Sequence, residues 1–183
     1  SLPAPYDCRF IEVLDGGSLL CCSQEGKIIV NQNRYETISS TFGEATEVSA
    51  TLTDSQGRIW IGLYNKGIEV YDKEGQKLKS YNTGNSSLSC DIVLCLAEKD
   101  STILVGTDGG GVNIINPESD SIRVLSHISG DATSFPASSI KSLHIDHYGN
   151  IWAGSVRKGL ISISQSDMHF YNDSHKGLNS GLS

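Results

Sequence analysis

A pattern that recurs about every 40 to 50 residues predicts an all-β protein, a β-propeller of four tandem four-stranded blades. Its two most complete copies begin at Asp54 and Asp146. Each copy reads Asp, two residues, Gly, one residue, Ile-Trp, one residue, Gly, four residues, Gly and then a strand rich in aliphatic residues. The 19 glycines and 4 prolines among 183 residues suit short strands joined by tight turns. The chain shows no stripe of apolar residues at helical spacing, so no helical fold competes with this prediction.

The strands follow from apolar runs bounded by turn residues. In the first repeat they are predicted at residues 9–14, 19–22, 27–30 and 35–38. The second repeat has them at 47–52, 59–63, 67–71 and 78–81, and the third at 92–97, 103–106, 111–115 and 122–125. The fourth has them at 140–145, 151–154, 159–163 and 168–171.

Particular residues of the repeat have structural explanations. Neighbouring blades cover both faces of each sheet, so residues 59–63 and 92–97 are expected to be buried along their whole length. Trp60 and Gly62 share a face, where the indole is expected to cover the sheet and the glycine to admit a neighbouring backbone. Gly67, with its counterparts Gly111 and Gly159, enters the third strand at a position suited to positive φ. The Asp-x-x-Gly turns supply a carboxylate for nearby amides and a glycine for the left-handed region.

Residues 1–183 are predicted to form one partial propeller domain. Its blades are placed at about 8–40, 46–83, 90–127 and 139–173, and residues 174–183 are expected to begin a further repeat. An open arc of blades exposes two apolar faces. We therefore expect the chain to pair with another copy, to bind further blades of a longer chain, or to be unstable. Two four-blade arcs could close into an eight-bladed ring with twofold symmetry.

Composition excludes several classes of protein. A formal net charge of -7 argues against binding of nucleic acid, which needs a basic face. No apolar run reaches the roughly 18 to 20 residues of a membrane helix, so no membrane contact is predicted for this segment. The five cysteines have no disulfide-framework or metal-ligand spacing, and Cys21, Cys22 and Cys95 are interpreted as small apolar strand residues.

Motifs for catalysis, metals and cofactors were weighed and not supported. His144 and His147 form an H-x-x-H pair, but on a strand and turn the two rings point to different sides. The glycine-rich residues 106–111 lead into a strand and carry no Lys-Ser or Lys-Thr, so they are interpreted as a turn. No nucleophile elbow or cysteine-based triad pattern occurs. We therefore predict no catalytic residues, no metal site and no cofactor, although scattered carboxylates leave a glycosidase pair open.

The candidate ligand-binding residues lie where the second strand of a blade turns into the third. Carboxylates, amides, cations and an aromatic ring suit the hydroxyl and acidic groups of saccharides. The candidates are Tyr64, Asn65 and Lys66 in the second repeat, Asp108 and Gly109 in the third, and Arg157 and Lys158 in the fourth. Ordinary solvated turn residues remain the alternative for each. Arg157 and Lys158 are the pair best suited to a carboxylate or sulfate.

The two complete copies resemble the two-component regulator propeller repeat, whose core is D-x-x-G-x-hydrophobic-W-hydrophobic-G followed by GG or KG and a strand. Residues 54–71 and 146–163 match this core, residues 103–115 match loosely, and residues 19–30 match poorly. The resemblance implies a periplasmic sensor region, often two seven-bladed propellers, followed by a further β domain, a membrane helix, a histidine kinase and a response regulator. It also implies sensing of glycan fragments. Four blades are fewer than seven, so the chain is expected to be a fragment of a larger propeller.

Three functions therefore stay open. The first is a non-catalytic, extracytoplasmic sensor segment that binds an oligosaccharide, with histidine kinase activity elsewhere in the full-length protein. The second is a propeller that serves as an assembly surface for proteins and has no small-molecule site. The third is a propeller enzyme, a lyase or hydrolase, that acts on glycans.

Overall fold

The computed structural model describes residues 8–13, 19–23, 27–31, 34–37 and 47–164. These residues form fifteen β-strands, labelled β1 to β15 in chain order. The first sheet contains β1 (Cys8–Val13), β2 (Leu19–Ser23), β3 (Lys27–Asn31) and β4 (Arg34–Thr37). The second contains β5 (Val48–Thr53), β6 (Ile59–Leu63), β7 (Gly67–Tyr71) and β8 (Lys77–Tyr81). The third contains β9 (Val93–Lys99), β10 (Thr102–Thr107), β11 (Val112–Asn116) and β12 (Ser121–Leu125), and the last contains β13 (Ile140–Ile145), β14 (Ile151–Ser155) and β15 (Gly159–Ile163).

Each sheet is an antiparallel meander in which consecutive strands pair. The predicted strands within the described ranges are confirmed, with ends that shift by one or two residues. The strand predicted at residues 168–171 lies outside the described residues, as does the start of a further repeat at 174–183. The prediction of an all-β chain of four-stranded antiparallel units therefore holds for the three sheets that are described in full.

The sheets stand side by side, and their first strands contact one another in the order β1, β5, β9 and β13. These first strands form the inner edge of an arc. One apolar cluster fills each gap between neighbouring sheets. Leu20 and Val48 share the first cluster, Trp60 and Val93 the second, and Leu104 and Ile140 the third. Because each cluster takes side chains from two sheets, apolar burial holds every sheet against its neighbour.

Burial is complete along β6 but incomplete along β9. All five residues of β6 are buried, as predicted for a strand covered on both faces. In β9 only Val93 is fully buried, and the residues after it are half-buried. The prediction of continuous burial was therefore wrong for this strand. It lies at the inner edge of the arc, where it has one paired neighbour in its own sheet instead of two.

The glycine that follows the tryptophan faces a side chain of the next sheet. A Cβ atom built on Gly62 would lie 2.6 Å from Cγ1 of Val93 and 3.3 Å from Cβ of Ala50. Close approach was predicted, but the approaching group is a valine side chain instead of a backbone. The turn glycines behave as predicted, since Gly67 has a φ of 74° and Gly111 a φ of 75°.

The cysteine interpretation also holds for the described side chains. Cys21 and Cys22 are buried in the first sheet, and Cys95 is half-buried against the third cluster. All three carry free thiols, as does Cys90. Burial raises the pKa of the Cys95 thiol to about 12, although a backbone hydrogen bond with Gly106 acts in the opposite direction.

Apolar side chains are exposed at both ends of the arc. Ile11 and Val13 on β1 are 63% and 67% exposed, and Leu160 on β15 is 69% exposed. Leu160 pairs with Gly154 in the same register that places Ile68 opposite Gly62, yet Ile68 is completely buried by the adjacent sheet. Among the described residues, no helix has the length and apolar character needed to cross a membrane.

Candidate functional site

One end of every sheet carries the turns in which the candidate ligand-binding residues lie. Because the strands are antiparallel, the turn between the second and third strands lies at the same end as the link into the following sheet. We call this end the upper face. It comprises residues 64–66, 82–92, 108–111, 126–139 and 156–158. Backbone hydrogen bonds hold the links against the turns: Gly67 N donates to Asp91 O and Asp108 N donates to Ile92 O, both at 2.9 Å.

On this face, Ser138 and Ser139 join the turns of the third and fourth sheets. The carbonyl oxygen of Ser138 accepts hydrogen bonds from Gly109 N at 3.0 Å and from Gly111 N at 2.7 Å. The carbonyl oxygen of Ser139 accepts one from Val156 N at 3.2 Å. The Ser139 hydroxyl in turn donates to the carboxylate of Asp108. These bonds fix the two turns to one short backbone segment.

A cavity of about 530 Å³ opens between these two turns. Its volume lies within the roughly 300 to 1,000 Å³ typical of small-molecule sites. We call it the basic groove because it collects cationic side chains on an acidic protein. Its lining consists of Asp108, His127, Pro136, Ala137, Ser138, Ser139, Lys141, Ser155, Val156, Arg157 and Lys158.

Three of the predicted site residues line the basic groove, namely Asp108, Arg157 and Lys158. Gly109 lies in the adjoining turn with a φ of 111° and is hydrogen-bonded to Ser138. The other three candidates, Tyr64, Asn65 and Lys66, form the turn between β6 and β7 and are not part of the groove lining. The structure thus brings together candidates from the third and fourth repeats and leaves those of the second apart.

Lys141 and His127 also line the groove, although the sequence did not predict them as site residues. Lys141 lies in the inner strand β13, where a β-bulge between Ile140 and Ser142 leaves it without a partner in the ladder. A bulge re-aims the extra side chain. The same irregularity occurs in β5 between Val48 and Ala50, and in β9 between Val93 and Cys95. The available signal was a charged side chain inside the strand predicted at residues 140–145.

The cations of the groove differ from cations elsewhere in their surroundings. Arg58 contacts Asp54 at 2.6 Å, Lys77 contacts Glu69 at 2.7 Å, and Lys79 contacts Asp120. Within the described part of the chain, Lys141, Arg157 and Lys158 have no carboxylate at ion-pair distance. The charge that they gather is therefore not cancelled by a described neighbour, and like charges held together favour an anion between them.

The groove offers little that would perform hydrolysis. Among the described residues its lining has one carboxylate, Asp108, whereas glycoside hydrolysis ordinarily uses two that flank the scissile bond. The described residues contain no group of three or more His, Cys, Asp or Glu side chains arranged to hold a metal ion. His144 and His147 are both exposed, and the ring of His147 lies 3.7 Å from that of Tyr148. The cations, hydroxyl groups and small apolar wall of the groove are suited to binding a ligand.

One repeat of the sequence matches a known family. Residues 43–65, which include the Asp54 turn and Trp60, match the family described as Two component regulator propeller. The resemblance predicted from the sequence is confirmed over this repeat. No curated protein matches the chain.

Solved structures share the fold. The extracellular domain of a Bacteroides thetaiotaomicron protein described as the hybrid two component system BT3049 superimposes with a TM-score of 0.67 at 23% identity, covering 85% of this chain and 23% of that one. The extracellular domain of BT4673 from the same organism, described as a one component system, gives 0.68 at 20% identity, covering 88% and 23%. The WD40 β-propeller domain of Doa1 gives 0.64 at 18% identity, covering 86% and 51%. The chain has the β-propeller fold and spans about a quarter of the length of the two Bacteroides domains.

Proposed function

We propose that this chain is a non-catalytic, extracytoplasmic sensor segment of a hybrid two-component system and that it binds glycan fragments in the periplasm. The observation that carries the proposal is the basic groove, which lies between two blades on the face that bears the variable turns. The match of residues 43–65 to the two component regulator propeller family supports the setting. In the proposed full-length protein, further blades complete the propeller, and a histidine kinase beyond a membrane helix receives the signal.

The position of the groove suggests how binding would be sensed. Its walls are the β10–β11 turn of one blade and the β14–β15 turn of the next. The first turn is hydrogen-bonded to Ser138 and Ser139, and the second to Ser139. A ligand that touches both walls binds best when the two blades have one particular separation. Binding then favours that arrangement over others, and this differential affinity is what a sensor needs.

Isothermal titration calorimetry of the purified chain with a panel of oligosaccharides tests the proposal. A Val156→Trp variant tests whether binding takes place in the groove. Val156 lines the groove and is 51% exposed, so the indole would occupy the groove without disturbing the core. Leu78→Trp, at a 53% exposed position on β8, is the matched control. We expect binding that Val156→Trp abolishes and Leu78→Trp retains. Binding of no oligosaccharide at all would overturn the sensor proposal.

A second candidate, an assembly surface, is favoured by the exposed apolar side chains at the ends of the arc. Leu160 is 69% exposed at a position where the equivalent Ile68 is buried by the next sheet. We propose that a second copy of the chain covers this face, with further blades of a longer chain as the alternative occupant. The two candidates are compatible, because a sensor can also dimerise.

Multi-angle light scattering tests the assembly proposal. We expect a concentration-dependent dimer that Leu160→Lys disrupts, since a buried unpaired charge opposes docking. Tyr148→Lys is the control, because Tyr148 is 79% exposed but lies in a turn instead of on the sheet face. A monomer at all concentrations, without aggregation, would contradict self-association.

A further inference from the structure

We infer that the basic groove selects a ligand that carries a carboxylate or sulfate group, and that Lys141 is a specificity-determining residue for it. The inference rests on the proposed function in one respect, since it takes the ligand to be a saccharide fragment and names its class as acidic. The anion-binding property itself stands on the geometry of the groove alone.

The charge of the groove opposes that of the whole protein. The chain carries a formal net charge of -7, yet the groove lining contains three cations and one carboxylate. The carboxylate, Asp108, already accepts a hydrogen bond from the Ser139 hydroxyl, which holds it against one wall. A concave site with an excess of one charge focuses its field on the cavity and raises the local concentration of the opposite ion.

The three cations come from two separate local structures, so they can contact a ligand from two sides of the groove. Arg157 and Lys158 belong to the β14–β15 turn, whereas Lys141 comes from the bulge of β13. The turn is braced where Lys158 N donates to Ser155 Oγ at 2.7 Å. An arginine can bind a carboxylate or sulfate through two parallel hydrogen bonds, while lysine supplies a compact point charge. Together they offer an anion one bidentate contact, from Arg157, and two single contacts, from Lys141 and Lys158.

The remainder of the lining favours an acidic saccharide over a neutral one. Apart from His127, the described lining has no aromatic ring, so it lacks the flat surface on which the apolar face of a neutral sugar packs. Pro136, Ala137 and Val156 give only a small apolar wall. Recognition must therefore rely on charge, with Ser138 and Ser155 available to hydroxyl groups.

The bulge explains why Lys141 is the residue that sets specificity. The equivalent bulge positions of the second and third sheets hold Ser49 and Leu94, which are uncharged. Among the second, third and fourth sheets, only the fourth therefore offers a cation at this place; the first sheet holds Arg9 at the corresponding bulge between Cys8 and Phe10. The groove next to Lys141 is lined by cations that have no described carboxylate at ion-pair distance.

Titration calorimetry with four matched probes tests the inference: a uronic acid oligosaccharide, a sulfated oligosaccharide, a neutral oligosaccharide of the same length and inorganic sulfate. The proteins are the unaltered chain, Lys141→Gln, Arg157→Gln and Lys73→Gln. Lys73 is the charge control, because its side chain is 75% exposed in the β7–β8 turn and takes no part in the groove. We expect an acidic probe to bind best. Lys141→Gln and Arg157→Gln each remove one charged hydrogen bond, so each should bind the acidic probe roughly tenfold more weakly or worse. Lys73→Gln should bind it as the unaltered chain does.

Each outcome decides a different point. Equal binding of the neutral and acidic probes, unaffected by Lys141→Gln, would overturn the acidic class and leave the sensor proposal standing. Binding of inorganic sulfate alone, lost in the two groove variants, would support the anion site but overturn the glycan ligand. Binding of no probe would overturn both. Circular dichroism of each variant separates loss of binding from loss of fold, and an affinity that does not weaken at high salt would contradict recognition by charge.

Discussion

The indole Nε1 of Trp60 donates a hydrogen bond to Oδ2 of Asp54 at 2.8 Å. The other oxygen of this carboxylate accepts hydrogen bonds from the amides of Gln56 and Arg58, at 3.0 Å and 2.8 Å. Asp146 and Trp152 repeat the contact at 3.0 Å in the fourth blade. The carboxylate that closes the turn therefore also orients the tryptophan, which explains why the two residues recur at a fixed spacing.

The bond between Trp60 and Asp54 is expected to contribute strongly to stability. The Asp54 side chain is fully buried, and its Oδ2 accepts hydrogen bonds from Trp60 Nε1 and from Arg58 Nε, at 2.8 Å and 2.6 Å. Trp60→Phe would remove one of these two bonds to a charged group, at a cost of about 1 to 3 kcal/mol in the free energy of unfolding. The phenyl ring retains part of the stack on Tyr81, whose centroid lies 5.8 Å away. Urea denaturation measures the loss. Trp152→Phe is the matched control and should cost less, because Asp146 lies nearer to solvent; equal losses would contradict this explanation.

The same carboxylates predict a loss of stability in acid. Hydrogen bonds from Trp152 and Asn150 lower the pKa of Asp146 from its ordinary 3.8 to about 2. For Asp54, burial raises the pKa, but hydrogen bonds from Trp60 and Arg58 outweigh it and leave the pKa below its ordinary value. A lowered folded-state pKa stabilises the protein above the unfolded value, and this contribution disappears as the pH falls through the folded value.

Asp146→Asn tests that dependence. The variant should melt at a lower temperature than the unaltered chain at neutral pH, and the gap should close as the pH falls from about 3.8 to about 2. Differential scanning fluorimetry over this range provides the measurement. A gap of constant size at every pH would show that the carboxylate charge is not responsible.

Gly62 is expected to tolerate no side chain. In Gly62→Ala the new methyl group would lie 2.6 Å from Val93 Cγ1, and valine has little freedom at χ1 to move away. Overpacking of this kind costs about 1 to 3 kcal/mol. Gly154→Ala is the matched control, because its nearest neighbour is the Ser142 hydroxyl, which can rotate. Thermal unfolding should show a larger loss for Gly62→Ala, partly restored by Val93→Ala; no restoration would contradict the steric explanation.

The thiols should differ in reactivity in the folded chain. Cys21 and Cys22 are buried. Burial also raises the pKa of Cys95 to about 12, so this thiol is almost entirely protonated near neutral pH. Cys90 is half-exposed at the upper face, where its Sγ donates to Asp108 O at 3.2 Å. Iodoacetamide should therefore modify Cys90 before these three, which peptide mapping by mass spectrometry would reveal. Comparable labelling of Cys95 without denaturant would contradict the burial of its thiol.

Sequence periodicity was sufficient for the fold, because a blade is a local unit. The unbroken apolar run from Ile59 to Leu63 was sufficient to predict a buried strand. The position of Gly67 at the start of the next strand was sufficient to predict a positive φ. Such features depend on neighbours close in the chain. Because the pattern recurs, the strand positions in one repeat could be compared with those in the others. The partial burial of β9 was missed because the local pattern does not reveal which strand forms the inner edge of the arc.

The site depended on contacts that the sequence does not encode locally. Arg157 and Lys158 could be recognised as candidates from their turn, but their meeting with Asp108 depends on how two blades are bonded through Ser138 and Ser139. Lys141 was missed because a bulge shifts its side chain out of the strand pattern. By itself the sequence determined the blades and their turns, since those arise from short-range geometry. Only the tertiary structure decided which turns share a groove, because docking of separate sheets brings together residues that are distant in the chain.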